Sequence, residues 1–399
     1  MSGRTGRARL VDAVLEAVDA TEVVALTRRL VSIGSENPPA QEEDVALALA
    51  CEAQRLGLEG HLDYVAPRRP NVSIYGKGGG PDRRPSTLYC GHLDTVPSGE
   101  ESAWKYAPLS GRVSGRRIWG RGSVDMKGGL AAMVCGLAAL CTVRPEAAAS
   151  VRIVAFVGEE SDCAGSRHFV NGEKLDSVRA IVVGEPTGLR LAIAQKGAVR
   201  VRVTLRGRAA HGSRPELGMN AIVHMARVID ALGGLHFGMT AHRLLSPPTL
   251  SVNTVHGGIA ANVVPDQCTV VVDVRTLPGE DQDAVVHGIQ ECVHGVTSAT
   301  PGLEDSVELL DAFAAVETDT RSRLFSGAEK ALAAAGGKRE GPLGVTYYSD
   351  ASVLMAATSA TTVLFGPGEV ELMHQANESV RGSDVVTAAR WFAVLPLLM

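Results

Sequence analysis

The sequence predicts an α/β protein with a mixed, mostly parallel sheet and a smaller α+β domain inserted into it. Short, continuous apolar runs at residues 87–91, 151–157 and 180–183 alternate with helical patterns. Such runs are typical of buried strands that helices cover on both faces. The first domain is therefore expected to contain a parallel or mixed sheet between two layers of helices.

The character of the chain changes near Leu191, where elements in the order β-α-β-β-α-β begin. This order over a short stretch indicates a compact α+β unit. Helix-strand alternation resumes after this stretch. We therefore expect residues 1–190 and 313–399 to form one split domain, and residues 191–312 to form the inserted domain.

Periodicity and breakers define the elements of the first domain. Apolar residues at helical spacing predict one helix from Val11 to Ile33, which stops before Asn37-Pro38-Pro39 because proline cannot continue a helix. The next predicted elements are a helix at 42–56, a strand at 71–75, a turn at 76–85 and a helix at 127–140.

Strict alternation defines the first strand of the insert, from Ala198 to Arg208. Valine and leucine occupy every second position, and arginine and threonine lie between them, which predicts one buried and one solvated face. The other predicted elements are a helix at 219–232, strands at 249–255 and 268–275, a helix at 280–292 and a strand at 307–312.

Composition excludes several classes of protein. The net charge of −5 and the 21% of charged residues give no basic surface for nucleic acid or an anionic membrane. No apolar stretch approaches the roughly 20 residues that span a bilayer, and the basic start lacks the apolar region of a signal peptide. Seven cysteines without a Cys-x-x-Cys motif indicate free thiols of a reducing compartment, so a cytoplasmic location is expected.

His92 and Asp94 follow the apolar strand at 87–91. A neutral imidazole is a good zinc ligand, and its second ring nitrogen needs an acceptor that Asp94 could supply. A histidine held at a strand end by a local hydrogen bond would have the same sequence. This pair alone leaves both interpretations open.

Asp125 lies in a glycine-rich stretch just before the helix that begins near Lys127. A carboxylate can bridge two cations because each oxygen binds one of them. An aspartate that caps the helix N-terminus is the alternative.

Glu159 and Glu160 follow the strand at 151–157. Neighbouring carboxylates repel, and burying both without a cation is costly. One of them could bind a metal while the other remains a base with a raised pKa. A solvated pair of loop residues is the alternative.

Glu185 follows the next apolar strand in the same way, and His374 comes after the turn Gly366-Pro367-Gly368. Ligands at the carboxyl ends of successive strands meet in one crevice of an α/β sheet. Two histidines and several carboxylates at such positions are the inventory of a two-metal hydrolytic site. The chain has no His-Glu-x-x-His helix, no Gly-x-Ser-x-Gly elbow and no dinucleotide-binding glycine motif.

Five ordered segments resemble the acetylornithine deacetylase / succinyl-diaminopimelate desuccinylase family of di-zinc amidohydrolases, to which aminoacylases and glutamate carboxypeptidases are related. These segments are Gly91–Pro97, Gly120–Gly129, Gly184–Thr187, Arg206–Asn220 and the residues around His374. The resemblance covers nearly the whole chain. It implies a zinc-exopeptidase-like catalytic domain and a ferredoxin-like insert that serves as a lid and dimerisation domain.

The resemblance implies two divalent metal ions, with zinc expected and cobalt or manganese suited to the same nitrogen and oxygen ligands. His92 and Glu185 would hold one ion, Glu160 and His374 the other, and Asp125 would bridge them. Asp94 would orient His92, and Glu159 would be the general base. The peptide bond after Asp125 is expected to be cis.

The resemblance also assigns roles around the substrate. His211 would reach the active site of a partner subunit and stabilise the oxyanion, which implies a homodimer. Asn262 and Arg275 would bind substrate, and Gly366 and Gly368 would add backbone donors near its carboxylate.

The expected activity is hydrolysis of the amide bond of an N-acyl amino acid. A dipeptidase or carboxypeptidase-type exopeptidase is the first alternative, and a non-catalytic binding protein on the same fold is the second. Met373 and the segment 347–350 are positions that could reshape the substrate pocket.

Overall fold

The computed structural model of the chain describes residues 2–80, 84–238 and 241–399. The chain divides into two compact units. The first consists of residues 1–193, 317–344 and 349–399, and the second consists of residues 194–316 and 345–348. The short segment 345–348 thus groups with the second unit, whereas the sequence assigned it to the first.

The described helices are α1 (Ser2–Glu16), α2 (Ala20–Val31), α3 (Glu43–Arg55), α4 (Lys127–Val143), α5 (Pro145–Ala148), α6 (Ala164–Gly172), α7 (Ala221–Gly233), α8 (Gln282–Thr297), α9 (Arg323–Ala334), α10 (Ala351–Ala356) and α11 (Gly382–Leu398). The described strands are β1 (Glu59–Ala66), β2 (Arg69–Tyr75), β3 (Thr87–His92), β4 (Arg112–Ser114), β5 (Arg117–Trp119), β6 (Val151–Phe156), β7 (Ala180–Val183), β8 (Ala192–Gln195), β9 (Gly197–Arg206), β10 (Ala210–His211), β11 (Thr249–Gly257), β12 (Val263–Val264), β13 (Gln267–Thr276), β14 (Glu304–Phe313), β15 (Val316–Glu317), β16 (Leu343–Val345), β17 (Thr361–Leu364) and β18 (Ser379–Arg381).

The large sheet of the first unit has the order β1-β2-β6-β3-β7-β17, and β8, β15 and β16 extend it. Strands β6, β3, β7 and β17 are parallel, while β1 and β2 pair in the antiparallel sense. This confirms the predicted mixed sheet. Because the four parallel strands point the same way, the residues that follow β3, β6, β7 and β17 meet at one edge.

Helix α4 begins close to this edge because Gly129, in its first turn, has no side chain. A Cβ atom at Gly129 would lie 2.3 Å from the carbonyl oxygen of Gly184, which follows β7. No side chain fits at that distance, so glycine lets the helix start pack directly on the end of the strand. Asp125, two residues before α4, is thereby brought beside Glu185.

The second unit contains a four-stranded antiparallel sheet in the order β11-β13-β9-β14. Helices α7 and α8 pack together and against this sheet. The order β9-α7-β11-β13-α8-β14 is the predicted ferredoxin-like arrangement, and its core is built from buried valine, leucine and isoleucine side chains. Among the described residues, none of the helices combines the length and apolar character that a membrane span needs.

Two local predictions were wrong. The single helix predicted from Val11 to Ile33 is two helices, because Asp19 interrupts it and its carboxylate caps α2 by accepting from the amides of Thr21 and Glu22. The strand β1 was not predicted, because its apolar residues are mixed with polar ones, form no continuous apolar run and are not buried. The predicted turn at 76–85 extends over residues 81–83, which lie outside the described residues.

Candidate metal centre

The edge formed by the parallel strands gathers the predicted ligands of the first unit. His92 is the last residue of β3, Glu160 follows β6, and Glu185 follows β7. The side chains of all three are buried, as is that of Asp125. His374 lies on the loop before β18 with a half-exposed side chain.

Asp125 occupies the centre of this group. Its Oδ1 lies 2.9 Å from Nε2 of His92, and its Oδ2 lies 3.2 Å from Nε2 of His374. Glu160 Oε2 lies 3.1 Å from the same nitrogen of His374, and Glu185 Oε1 lies 3.8 Å from Nε2 of His92. Each oxygen of Asp125 therefore faces a different imidazole, and each imidazole faces one further carboxylate. The peptide bond from Asp125 to Met126 is cis.

The pKa shifts of these side chains indicate a site that favours a bound cation. Burial raises the pKa of Glu160 and Glu185, and the nearby Asp125 carboxylate raises both further. Hydrogen bonds to Asp125 and Glu160 raise the pKa of His374 to about 10. Glu160 and Glu185 therefore resist ionisation, and the carboxylates beside His374 favour its protonated ring. A divalent cation would replace those protons and offset the buried negative charge.

The donor atoms fit such an ion. One ligand atom each of His92, Asp125 and Glu160 lies within 4.8 Å of the others. Ligands about 2.0–2.2 Å from a zinc ion lie roughly 3–3.5 Å apart, close to the separations seen here. Oε1 of Glu160 is buried and has no hydrogen-bond partner among the described residues. Imidazole and carboxylate donors suit zinc, cobalt and manganese.

Asp94 has a wider role than the sequence predicted. The main-chain carbonyl of Asp94, rather than its carboxylate, lies 2.9 Å from Nδ1 of His92, and the nearest carboxylate oxygen is 3.6 Å away. This contact fixes the proton on Nδ1 and leaves Nε2 as the ligand atom. The Asp94 carboxylate instead accepts from the amides of Gly158, Glu159 and Glu160 at 3.1–3.2 Å. One aspartate therefore positions both the imidazole and the loop of the two glutamates.

Glu159 and Glu160 are adjacent but differ in their surroundings. Glu160 pairs with His374, its Oε2 lying 3.1 Å from Nε2 of that ring. Burial raises the pKa of Glu159 well above its usual value, and the charges of Glu185 and Glu160 raise it further. Glu159 is thus a buried carboxyl that binds a proton readily and lies beside the ligand group.

The second unit brings His211 and Asn262 together. His211 pairs with Val263 across the short ladder of β10 and β12, and the amide of Gly212 donates to the carbonyl of Asn262 at 2.7 Å. Both residues are exposed. The amide of Ser213 donates to Nδ1 of His211, so a neutral ring carries its proton on Nε2, where it can donate to an oxyanion.

Arg275 lies elsewhere in the second unit. Its Nε donates to Oδ1 of Asp273 at 2.7 Å, and its guanidinium lies 5.4 Å from the ring centre of Tyr348. Arg275 is near the end of β13, whereas Asn262 precedes the start of that strand. At about 3.3 Å per residue, the strand separates the two positions by roughly 25 Å. Within one chain, Arg275 and the pair of His211 and Asn262 therefore lie at opposite ends of the sheet.

One backbone amide of the turn Gly366-Pro367-Gly368, which follows β17, is bonded within the protein. The N–H of Gly366 donates to the hydroxyl of Thr187 at 3.2 Å, so it is not available to a substrate. This argues against the predicted donor role of Gly366. Gly368 has a φ of +102°, a conformation that glycine adopts readily, and its carbonyl accepts from the amide of Gly188.

Sequence reasoning missed three buried polar residues around the ligands. Asn37 donates to the Asp94 carboxylate at 3.0 Å, and Arg121 pairs with Glu378 at 2.7 Å. One signal was available, because Glu378 and Arg121 stand inside the motif segments that carry His374 and Asp125. The pairing of Arg121 with Glu378 links residues 257 positions apart, which periodicity cannot reveal.

The sequence matches known proteins over most of its length. The family model described as peptidase family M20/M25/M40 matches residues 88–397. A probable carboxypeptidase of Aspergillus oryzae is 31% identical over 78% of this chain and 74% of its own length. A probable succinyl-diaminopimelate desuccinylase of Staphylococcus aureus is 26% identical over 90% of this chain and 93% of its own. The acetylornithine deacetylase of Proteus mirabilis is 30% identical over 73% of this chain and 74% of its own.

A solved structure has the same fold. The YxeP protein of Bacillus subtilis, described as a dinuclear metal-binding peptidase, aligns with a TM-score of 0.71 at 18% identity. The alignment covers 95% of this chain and 97% of that protein. The fold predicted from the sequence is thereby confirmed.

Proposed function

Because this chain belongs to peptidase family M20/M25/M40, we propose that it is a metal-dependent amidohydrolase that removes the acyl group from an N-acyl amino acid. Similarity to a desuccinylase and to an acetylornithine deacetylase supports this choice of substrate class. The observation that carries it is the central Asp125, whose two oxygens face two imidazoles, with a further buried carboxyl, Glu159, beside them.

In this proposal His92 and Glu185 would hold one divalent ion, Glu160 and His374 would hold a second, and Asp125 would serve both. Zinc is the expected metal, and cobalt or manganese would suit the same donors. The chemistry that such ions supply when bound is polarisation of the amide carbonyl and acidification of water.

Glu159 is proposed as the general base. Its carboxylate takes the proton of the attacking water and then returns it to the nitrogen of the leaving amine. A base that works near neutral pH needs a pKa above that of an ordinary glutamate, and burial supplies this rise for Glu159.

His211 is proposed to stabilise the oxyanion that forms at the substrate carbonyl by donating from Nε2. We further propose a homodimer in which His211 and Asn262 serve the site of a second copy. Arg275 would bind the substrate carboxylate through the guanidinium nitrogens that Asp273 does not occupy. Gly368 remains a proposed backbone contact.

An activity panel tests the proposal. Wild-type protein with added zinc or cobalt is assayed against N-acetyl and N-succinyl amino acids and against dipeptides. Release of the free amino acid from an acylated substrate is the expected result, and its rate should fall about 10²–10⁴-fold in the Glu159→Gln variant. A nearly normal rate in this variant would contradict the assigned base.

An exopeptidase is the second candidate, because the probable carboxypeptidase of Aspergillus oryzae is 31% identical to this chain. The same panel separates the two functions. A kcat/KM for dipeptides that exceeds the value for every acyl amino acid would favour a dipeptidase or carboxypeptidase. No turnover of any substrate by metal-loaded protein would favour the non-catalytic alternative.

The proposed partners are small molecules and a second copy of the chain, and neither nucleic acid nor a membrane is among them. All seven cysteines are free thiols, which supports the proposal of a reducing, cytoplasmic location.

A further inference from the structure

Glu378 uses both of its carboxylate oxygens on the segment that carries Asp125. Its Oε1 accepts from the amides of Val124 and Asp125 at 2.8 and 3.1 Å. Its Oε2 accepts from Nη1 of Arg121 at 2.7 Å. Glu378 is completely buried and stands four residues after His374. The carboxylate therefore fixes the main chain at Asp125 from the loop that also carries His374.

Arg121 extends this link to a third segment. The same guanidinium donates to the carbonyls of Gln375 and Pro97, each at 3.3 Å. Arg121 is almost fully buried and lies over the ring of Trp104, 5.2 Å from its centre. Arg121 lies in the segment of Asp125, and its guanidinium bonds to the segment of His374 and to the segment Gly91–Pro97, which contains His92.

A buried ion pair is a poor way to gain stability. Taking both charges out of water costs about as much as their attraction returns, and apolar replacements of similar size are often neutral or stabilising. The contacts of Arg121 and Glu378 with main-chain groups beside the proposed ligands indicate that the pair positions these ligands rather than stabilising the fold. Groups that hold metal ligands in place typically change metal affinity about 10–100-fold when they are lost.

We propose that Arg121 and Glu378 are positioning residues that set the affinity of the metal centre. They do so by holding the three segments that carry the proposed ligands in fixed positions relative to one another. The pair contacts main-chain groups next to the ligands and acts through them, without touching substrate. This inference rests on the metal centre of the proposed function, and it adds two residues to which that function assigned no role.

The test is a titration of the metal-free full-length protein with cobalt, followed by calorimetry and by the visible absorption of the bound ion. The variants are Glu378→Gln and Arg121→Met. In the first, the side-chain amide has a single acceptor oxygen, so its NH₂ group would oppose either the Arg121 guanidinium or the amides of Val124 and Asp125, and one of the two links is lost. In the second, the guanidinium itself is lost. We expect cobalt to bind about 10–100-fold more weakly in both, with an altered spectrum.

A matched control separates positioning from general effects of a buried charge. Glu52 is also a buried glutamate bonded to arginines, Arg29 and Arg55, but it lies on α3 and contacts none of the ligand segments. Glu52→Gln should bind cobalt with wild-type affinity and spectrum. Equal affinity and spectrum in wild type, Glu378→Gln and Arg121→Met would overturn the inference.

Arg121→Lys keeps the experiment decisive if the other variants fail to fold. Lysine retains the charge but cannot reach three acceptors with a planar fork, so cobalt affinity should still fall. Wild-type affinity in a folded Arg121→Lys protein would overturn the inference. Because cobalt binding needs no substrate, wild-type protein that binds cobalt but hydrolyses nothing would defeat the proposed function alone.

Discussion

The sheet edge of the first unit and the sheet core of the second unit bury different kinds of side chain. At the edge of its sheet, the first unit buries His92, Asp125, Glu159 and Glu185, whereas the sheet of the second unit buries valines and leucines such as Leu205. Burial of apolar groups stabilises a fold, while burial of like charges opposes folding. The contrast indicates that the buried polar groups at the first sheet edge serve chemistry, whereas the apolar core under the second unit's sheet serves stability.

The largest expected effect is on turnover. Glu159→Gln removes the proposed base without removing a proposed ligand, so kcat should fall about 10²–10⁴-fold, the range that general-base catalysis supplies. Metal content, measured by elemental analysis, should stay at the wild-type value. If metal were lost together with activity, Glu159 would be a ligand and the division of roles between the two adjacent glutamates would be wrong.

The next effect concerns the apolar core. Leu205→Ala in β9 removes a completely buried side chain, so the free energy of unfolding should fall by about 2–5 kcal/mol. Denaturant titration measures this loss. Metal affinity of the folded variant should be unchanged, because the unit that contains Leu205 holds none of the proposed ligands. A matching loss of cobalt affinity would contradict the contrast between the two regions.

Removal of metal should have a smaller effect on stability. A ligand present at about 100 times its Kd stabilises the native state by roughly 2.7 kcal/mol. Chelation should therefore lower the unfolding temperature of the wild-type protein. The Asp125→Ala variant should show little response to the chelator, since its bridging carboxylate is absent. A wild-type unfolding temperature that chelation leaves unchanged would argue against a metal centre.

The smallest effect is expected at the surface of the second unit. Arg202 and Glu308 form an exposed ion pair at 2.7 Å. Exposed pairs contribute about 0–1 kcal/mol, so Glu308→Gln should scarcely change the free energy of unfolding. The comparison with Glu378→Gln uses the same substitution in a buried and an exposed pair. A larger loss of unfolding free energy in Glu308→Gln than in Glu378→Gln would contradict the expectation that exposed ion pairs contribute little to stability.

Sequence patterns predicted the second unit well because its strands are regular. The alternation of Val199, Val201, Val203 and Leu205 with polar residues determines which face is buried, and β9 has that pattern of burial. Helix α4 and strand β7 were also predicted, since continuous apolar runs are sufficient evidence for buried elements. The strand β1 was missed because its mixed polar and apolar residues, none of them buried, form no such run.

The candidate site was predictable in its residue types but not in its hydrogen bonds. Motif resemblance named the proposed ligands, whereas the use of the Asp94 carboxylate for three amides and of the Gly366 amide by Thr187 depends on three-dimensional geometry. The pairing of Arg121 with Glu378 is of the same kind, because it joins loops that are remote in sequence.

Metal stoichiometry tests the central claim most directly. Metal-free wild-type protein and the His92→Ala and His374→Ala variants are dialysed to equilibrium against zinc or cobalt, and bound metal is measured per chain. We predict two ions in wild type and one or fewer in each variant. Binding of no ion by wild type, or of an ion that neither substitution affects, would contradict the account.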